Sequence, residues 1–239
     1  MRLCVILLLA SACIGITDPA LGKGSIQGVV TARAHKDLVA KVKALSETPE
    51  ALANINPYVA SDGSIIYTFD MVNYRSLEEI FVGYVNPGGV ASITHKLKID
   101  EDRFQPRSLA IATGDILKIE NDTDEPLTFY VAKEDSDEIL ETDTIPPDET
   151  GTITVTLEGL LELGADENDK SVTHLLSLPN LVSNKMESGD DYKFEGLAPG
   201  DYRMVFWFWR LGMLERTVTV TPSKPARVDQ VLSVDTMVR

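Results

Sequence analysis

Beyond Cys13 the chain contains no cysteine, and its 239 residues include only three histidines. Cys4 and Cys13 both fall in an apolar leader, so removing that leader leaves no disulfide, no thiolate ligand and no cysteine nucleophile. Cationic side chains are scarce as well: 22 Lys and Arg against 37 Asp and Glu give a formal net charge of −15. That balance repels phosphate and argues against DNA, RNA or anionic lipid as partners. After the leader no apolar run approaches the roughly 20 residues of a membrane-spanning helix. A chain of this length can rest on a hydrophobic core where smaller exported domains need disulfide staples.

The leader, residues 1–22, reads as a secretory signal. Arg2 supplies the positive start, Val5–Ala12 the short apolar centre, and Ala20-Leu21-Gly22 the small residues before a cleavage site at Lys23. A lipoprotein signal ending at Cys13 fits less well, because its −3 position holds Ala10 where leucine is expected. The expected location is therefore the periplasm, as a secreted protein without a transmembrane segment.

Short β-branched runs separated by turn residues fill the rest. Strands are expected over Ser25–Arg33, Val39–Leu45, Ser64–Asp70, Glu79–Val85, Ser92–Ile99 and Ile116–Asn121. Leu127–Lys133, Thr150–Leu157, Tyr192–Glu195, Tyr202–Trp209, Arg216–Thr221 and Val228–Val234 read the same way. Turns fall at Ser61-Asp62-Gly63, Asn86-Pro87-Gly88-Gly89, Pro146-Pro147-Asp148 and Pro199-Gly200-Asp201. Many short strands without alternating helices mean a sandwich or a barrel. Helices are expected at Thr48–Ala53, and at Glu158–Gly164 and Ser171–Ser177 on either side of the acidic turn Asp166-Glu167-Asn168-Asp169. That turn lacks the spacing and the closing Glu of a calcium loop and reads as a solvated loop.

The stretch Tyr192–Leu232 contains Leu197-Ala198-Pro199-Gly200-Asp201-Tyr202, an L-x-P-G-x-Y motif between two strands. It resembles the carboxypeptidase-regulatory-like, prealbumin-type β-sandwich, a module that is usually non-catalytic. In such modules a G-x-V strand and its successor come first, and Gly28-Val29-Val30 and Val39–Leu45 fit that role. Between these parts, Arg103–Val131 carries Phe104-x-Pro106, the Gly114-Asp115 turn and a strand ending at Asn121. This pattern resembles the cupredoxin fold, most closely the methylamine-utilisation-like periplasmic proteins that join a plastocyanin-like barrel to a prealbumin-like sandwich. The fold implied is all-β, a cupredoxin-like Greek-key barrel plus a prealbumin-like sandwich that can be split around it. Residues 23–55 would give the first sandwich strands, 56–185 the barrel and 186–239 the remainder of the sandwich.

Copper-binding relatives carry a His ligand on the strand after that Asn, with a Cys and a further His in a closing loop. Here Leu127 stands at the first His position, and no cysteine is present to donate a thiolate. Type 1 copper needs a soft sulfur and two imidazoles, so no copper cofactor is expected. His35 and His95 upstream, and His174 and Met186 downstream, show no paired ligand spacing.

Phe206-Trp207-Phe208-Trp209 holds both tryptophans of the chain. On a strand, Val205, Trp207 and Trp209 share one face while Met204, Phe206 and Phe208 share the other. The preferred reading buries both faces. The sharper one presents Trp207 and Trp209 as a ligand platform, with Arg210 fixing a polar group. Carboxylates lie in polar, turn-like runs, without the opposed pair in an apolar cleft that a glycosidase requires. No G-x-S-x-G elbow, P-loop, dinucleotide fingerprint or zincin motif occurs.

The expected function is therefore a non-catalytic periplasmic binding or assembly protein, whose partner is a periplasmic or envelope protein or a glycan. Two alternatives stand beside it. One is binding of a carbohydrate or envelope polymer through Trp207 and Trp209. The other is a copper carrier or redox protein with a non-standard site from His174, Met186 and nearby carboxylates.

Overall fold

A computed structural model describes residues 22–33, 58–59, 65–66, 77–100, 103–133, 136–222 and 224–233. The leader, His35, the Val39–Leu45 strand, the Thr48–Ala53 helix and most of Ser64–Asp70 lie outside the described residues. All regular structure among the described residues is β. In chain order the strands are β1 (Gly24–Ala32), β2 (Tyr58–Val59), β3 (Ile65–Ile66), β4 (Ile80–Val85), β5 (Thr94–Ile99), β6 (Phe104–Gln105) and β7 (Ser108–Ala112). Next come β8 (Ile116–Asn121), β9 (Phe129–Lys133), β10 (Ile139–Glu141), β11 (Thr150–Thr154), β12 (Gly159–Ala165) and β13 (Asn168–Leu178). The chain continues through β14 (Leu181–Met186), β15 (Asp191–Leu197), β16 (Gly200–Phe208), β17 (Gly212–Val220), β18 (Ala226–Arg227) and β19 (Gln230–Leu232).

Apart from the isolated β2–β3 pair, these strands form four sheets. The first centres on β1, antiparallel to β15 and parallel to β18 and β19. The second runs β14-β4-β16-β17, antiparallel throughout. The third runs β10-β9-β12-β13-β7 and the fourth β11-β8-β5-β6. Ile26 and Phe194 from the first sheet meet Val82, Met204 and Phe206 from the second in one core. Phe129, Val131 and Leu163 from the third meet Leu97, Phe104 and Ile119 from the fourth in another. A third cluster joins the inner sheets, where Phe81, Val205 and Trp207 pack with Ala110 and Leu176. Ser183 Oγ donates to the Ala110 carbonyl at 2.8 Å and Ser108 Oγ to Glu79 Oε2 at 3.1 Å across the same junction.

The period of two along β16 explains this layering. Met204, Phe206 and Phe208 enter the first core, whereas Val205 and Trp207 enter the junction. The strand is buried on both faces, as the aromatic run leads one to expect. The L-x-P-G-x-Y motif works as its residues imply. Leu197 and Tyr202 are buried in the first core, and the Tyr202 hydroxyl donates to the Ala198 carbonyl at 3.0 Å, which fixes the turn between β15 and β16.

One expectation needs correction. Glu158–Gly164 and Ser171–Ser177 are not helices but the β12–β13 hairpin, turning at Asp166-Glu167. Leu161, Leu163 and Ala165 alternate into the second core, and β9 and β7 satisfy the outer edges of the hairpin. That tertiary pairing overrides a weak local helix preference. The strand Ile80–Val85 hydrogen-bonds to β14 and β16 in the second sheet. Its continuous burial requires a strand with neighbours on both faces, which the inner position supplies. The strand Leu181–Met186 forms that sheet's edge.

Two positions test this architecture. A Cβ on Gly28 would lie 1.8 Å from the Val228 carbonyl oxygen, which also accepts the Tyr192 hydroxyl at 2.5 Å. Burial, followed by the charge of Asp229, raises the Tyr192 pKa, so the hydroxyl stays a donor. Gly28→Ala is expected to destabilise the fold by roughly 3 kcal/mol, read by urea unfolding, because backbone must move. The second position is Glu167, at the hairpin turn. Desolvation alone would raise its carboxyl, but the Thr128 amide and hydroxyl donate to it at 2.7 and 3.1 Å and hold it below the usual range. Its contribution is present above the unfolded-state value of about 4.3 and is lost as pH falls through the lower folded value. Urea midpoints measured across that acidic window should fall less steeply for Glu167→Gln than for the wild type.

Candidate functional site

The β12–β13 register sets Glu162 directly opposite His174, on the face of the third sheet that looks toward the second. Glu162 Oε1 lies 3.6 Å from His174 Nδ1, close enough for electrostatic pairing but long for a hydrogen bond. From the other side, β16 delivers Trp207, and the turn beyond it delivers Trp209 and Arg210. The Leu211 amide donates to the Phe208 carbonyl at 2.9 Å and closes that turn.

These residues line a cleft of about 320 Å³ where the two sandwiches meet. Its size falls at the lower end of the range for small-ligand pockets. Leu160 supplies apolar wall, whereas Leu161 and Leu175 bound the cleft while their side chains belong to the second core. The His174 imidazole stacks on the Trp209 indole with ring centroids 4.4 Å apart and planes 12° from parallel. Arg210 Cζ lies 4.6 Å from the centre of the same indole. Trp209 thus binds both an imidazole and a cation while remaining half-buried.

Trp207 differs in kind. It is 1% exposed, its ring centroid is 5.5 Å from that of Phe81, and it belongs to the junction cluster. Its indole N–H is buried with no acceptor among the described residues. Of the three residues singled out from sequence, Trp209 and Arg210 form a partly exposed pair, whereas Trp207 is a core residue that also lines the cleft. The Glu162–His174 pair is not legible in the sequence while both segments read as helices. A hairpin folded about Asp166-Glu167 would have placed the two opposite each other.

The remaining ligand-type residues are dispersed. His95, on the fourth sheet, binds Asp115 through Nε2–Oδ2 at 2.8 Å. Asp115 is 2% exposed and also accepts the Ile93 and Ala112 amides at 2.9 and 3.0 Å, so it ties the β7–β8 turn to β5. Met186 packs against the first core. His95, His174 and Met186 therefore stand in three separate surroundings. Among the described residues no three His, Cys, Asp or Glu side chains gather in an arrangement that could hold a metal ion. Leu127 is 2% exposed, bridges to Ile145 and packs in the second core. Its hydrocarbon side chain offers no donor atom to a metal.

No protein-family model matches the chain, and no curated protein matches it. Among solved structures, a reduced amicyanin variant is similar at 14% identity, covering 39% of this chain and 90% of its own, with a TM-score of 0.32. An oxidized amicyanin variant gives 13% identity, 41% and 98% coverage and a TM-score of 0.31. A purple cupredoxin from Nitrosopumilus maritimus gives 12% identity, 34% and 97% coverage and a TM-score of 0.30. The chain is all-β with several sheets, and it bears a distant structural similarity to cupredoxins over about 40% of its length.

Proposed function

We propose that this is an exported, non-catalytic binding or assembly protein, built from a cupredoxin-like unit and a prealbumin-type sandwich, whose ligand seats in the cleft between them. The observation that carries the reading is the cleft itself, where the His174–Trp209–Arg210 stack stands beside Leu160. Aromatic rings, a guanidinium and apolar side chains around one concavity form a recognition surface. The histidine of the cleft stacks on an indole and faces a carboxylate. The acidic net charge and the leader favour an exported, soluble role.

Because both tryptophans of the chain line this cleft, intrinsic fluorescence reports on it directly. Titrating the mature protein with neutral oligosaccharides, N-acetylated amino acids and their amides should give a saturable change for at least one class. Trp209→Ala should abolish that change while leaving the far-UV circular dichroism intact. A response to oligosaccharides alone would favour carbohydrate or envelope-polymer binding at Trp209. No saturable response from any class contradicts the proposal.

A further inference from the structure

The two ends of the third sheet differ. At one end β7 lies against the second sheet, and its Ala110 carbonyl accepts the Ser183 hydroxyl at 2.8 Å. At the other end β10 hydrogen-bonds to β9 alone, in a regular antiparallel register that sets Ile139 opposite Ala132 and Glu141 opposite Tyr130. The Thr142 amide donates to the Phe129 carbonyl at 2.9 Å, so by antiparallel alternation the bonds to β9 fall on Thr142 and Leu140. The backbone groups of Ile139 and Glu141 therefore face outward, and nothing among the described residues bonds to them. Ile139 is 48% exposed, with only an alanine across from it. Exposed carboxylates flank it in the chain: Asp137, Glu138, Glu141 and Asp143, none held in an ion pair among the described residues.

We propose that this edge takes an added strand from a partner protein, an extended segment with an apolar residue beside Ile139 and Lys or Arg two residues to either side. The outward N–H and C=O groups of Ile139 and Glu141 supply the main-chain hydrogen bonds of such a strand. Residues two apart share a face, so the acid–apolar–acid order of Asp137, Ile139 and Glu141 is matched by a base–apolar–base order. The charges also decide what is refused. A second copy of β10 would bring the same carboxylates against these, and short charged edges are how sheets avoid pairing with one another. A basic segment turns that repulsion into attraction. This surface is separate from the cleft and goes beyond the reading given above. The two are joined by one cross-strand row, Ile139, Ala132, Glu162 and His174.

The test is titration of the isotopically labelled mature protein, followed by amide NMR, with acetyl-Lys-Thr-Val-Thr-Lys-amide and with the same peptide carrying glutamate in place of both lysines. The lysine peptide should shift the Ile139 and Glu141 amides saturably, and the glutamate peptide should bind about tenfold more weakly. Glu141→Lys should weaken the lysine peptide by about tenfold, and Ile139→Ser by about threefold through loss of apolar contact. Both positions are exposed, so neither change reaches a core. N-methylation of the peptide's valine removes the donor that an antiparallel strand uses, and N-methylation of its threonines removes those of a parallel one. Loss of binding with one of the two gives the strand direction and supports the proposal. Tolerance of both shows that no strand is added and overturns it. Equal binding of the two peptides, shifts confined to the cleft, or no saturable shift at millimolar peptide overturns it as well. The cleft reading stands or falls separately, because its own titration reads the tryptophans.

Discussion

The burial of Trp207 at the junction of the two inner sheets is the constraint on which the rest of the structure depends. One strand, β16, faces two cores at once, and its odd and even side chains are divided between them. Truncating a ring of this size typically costs about 3–5 kcal/mol, whereas a buried donor without an acceptor costs about 1–3 kcal/mol. Packing therefore outweighs the unsatisfied N–H by a modest margin. That margin explains how an indole can be buried between the two sheets with no acceptor for its N–H among the described residues.

The same junction explains why the cleft exists where it does. Val205 and Trp207 hold the second sheet against Ala110 and Leu176 of the third. At the end of β16 the chain turns, and Trp209 stacks on His174 with Arg210 against its own ring instead of extending the packed layer. The cleft is thus a product of two sheets parting at a strand end, as many binding sites are. The third sheet contributes the β12–β13 hairpin to it.

Much of the fold was legible in the sequence because period-two alternation and turn residues are local signals. Strand β16, the Tyr202 corner and the strands from Ile116 to Lys133 follow from them directly. What was illegible depended on distant partners. Leu160-Leu161-Glu162-Leu163 resembles a helical stretch until β9 and β13 flank it, and β4 cannot be assigned to a sheet without knowing that β16 arrives more than a hundred residues later. The site was half visible for the same reason. Trp209 and Arg210 stand out by composition, whereas Glu162 and His174 become a pair only through the hairpin register.

Cooperativity of unfolding tests the shared junction most directly. Equilibrium urea denaturation can be followed by tryptophan fluorescence, which senses the junction, and by far-UV circular dichroism, which senses both sandwiches. A single layer common to two cores predicts coincident transitions with one midpoint. A fluorescence transition that precedes the loss of β structure, leaving one sandwich folded after the tryptophans are exposed, would contradict it.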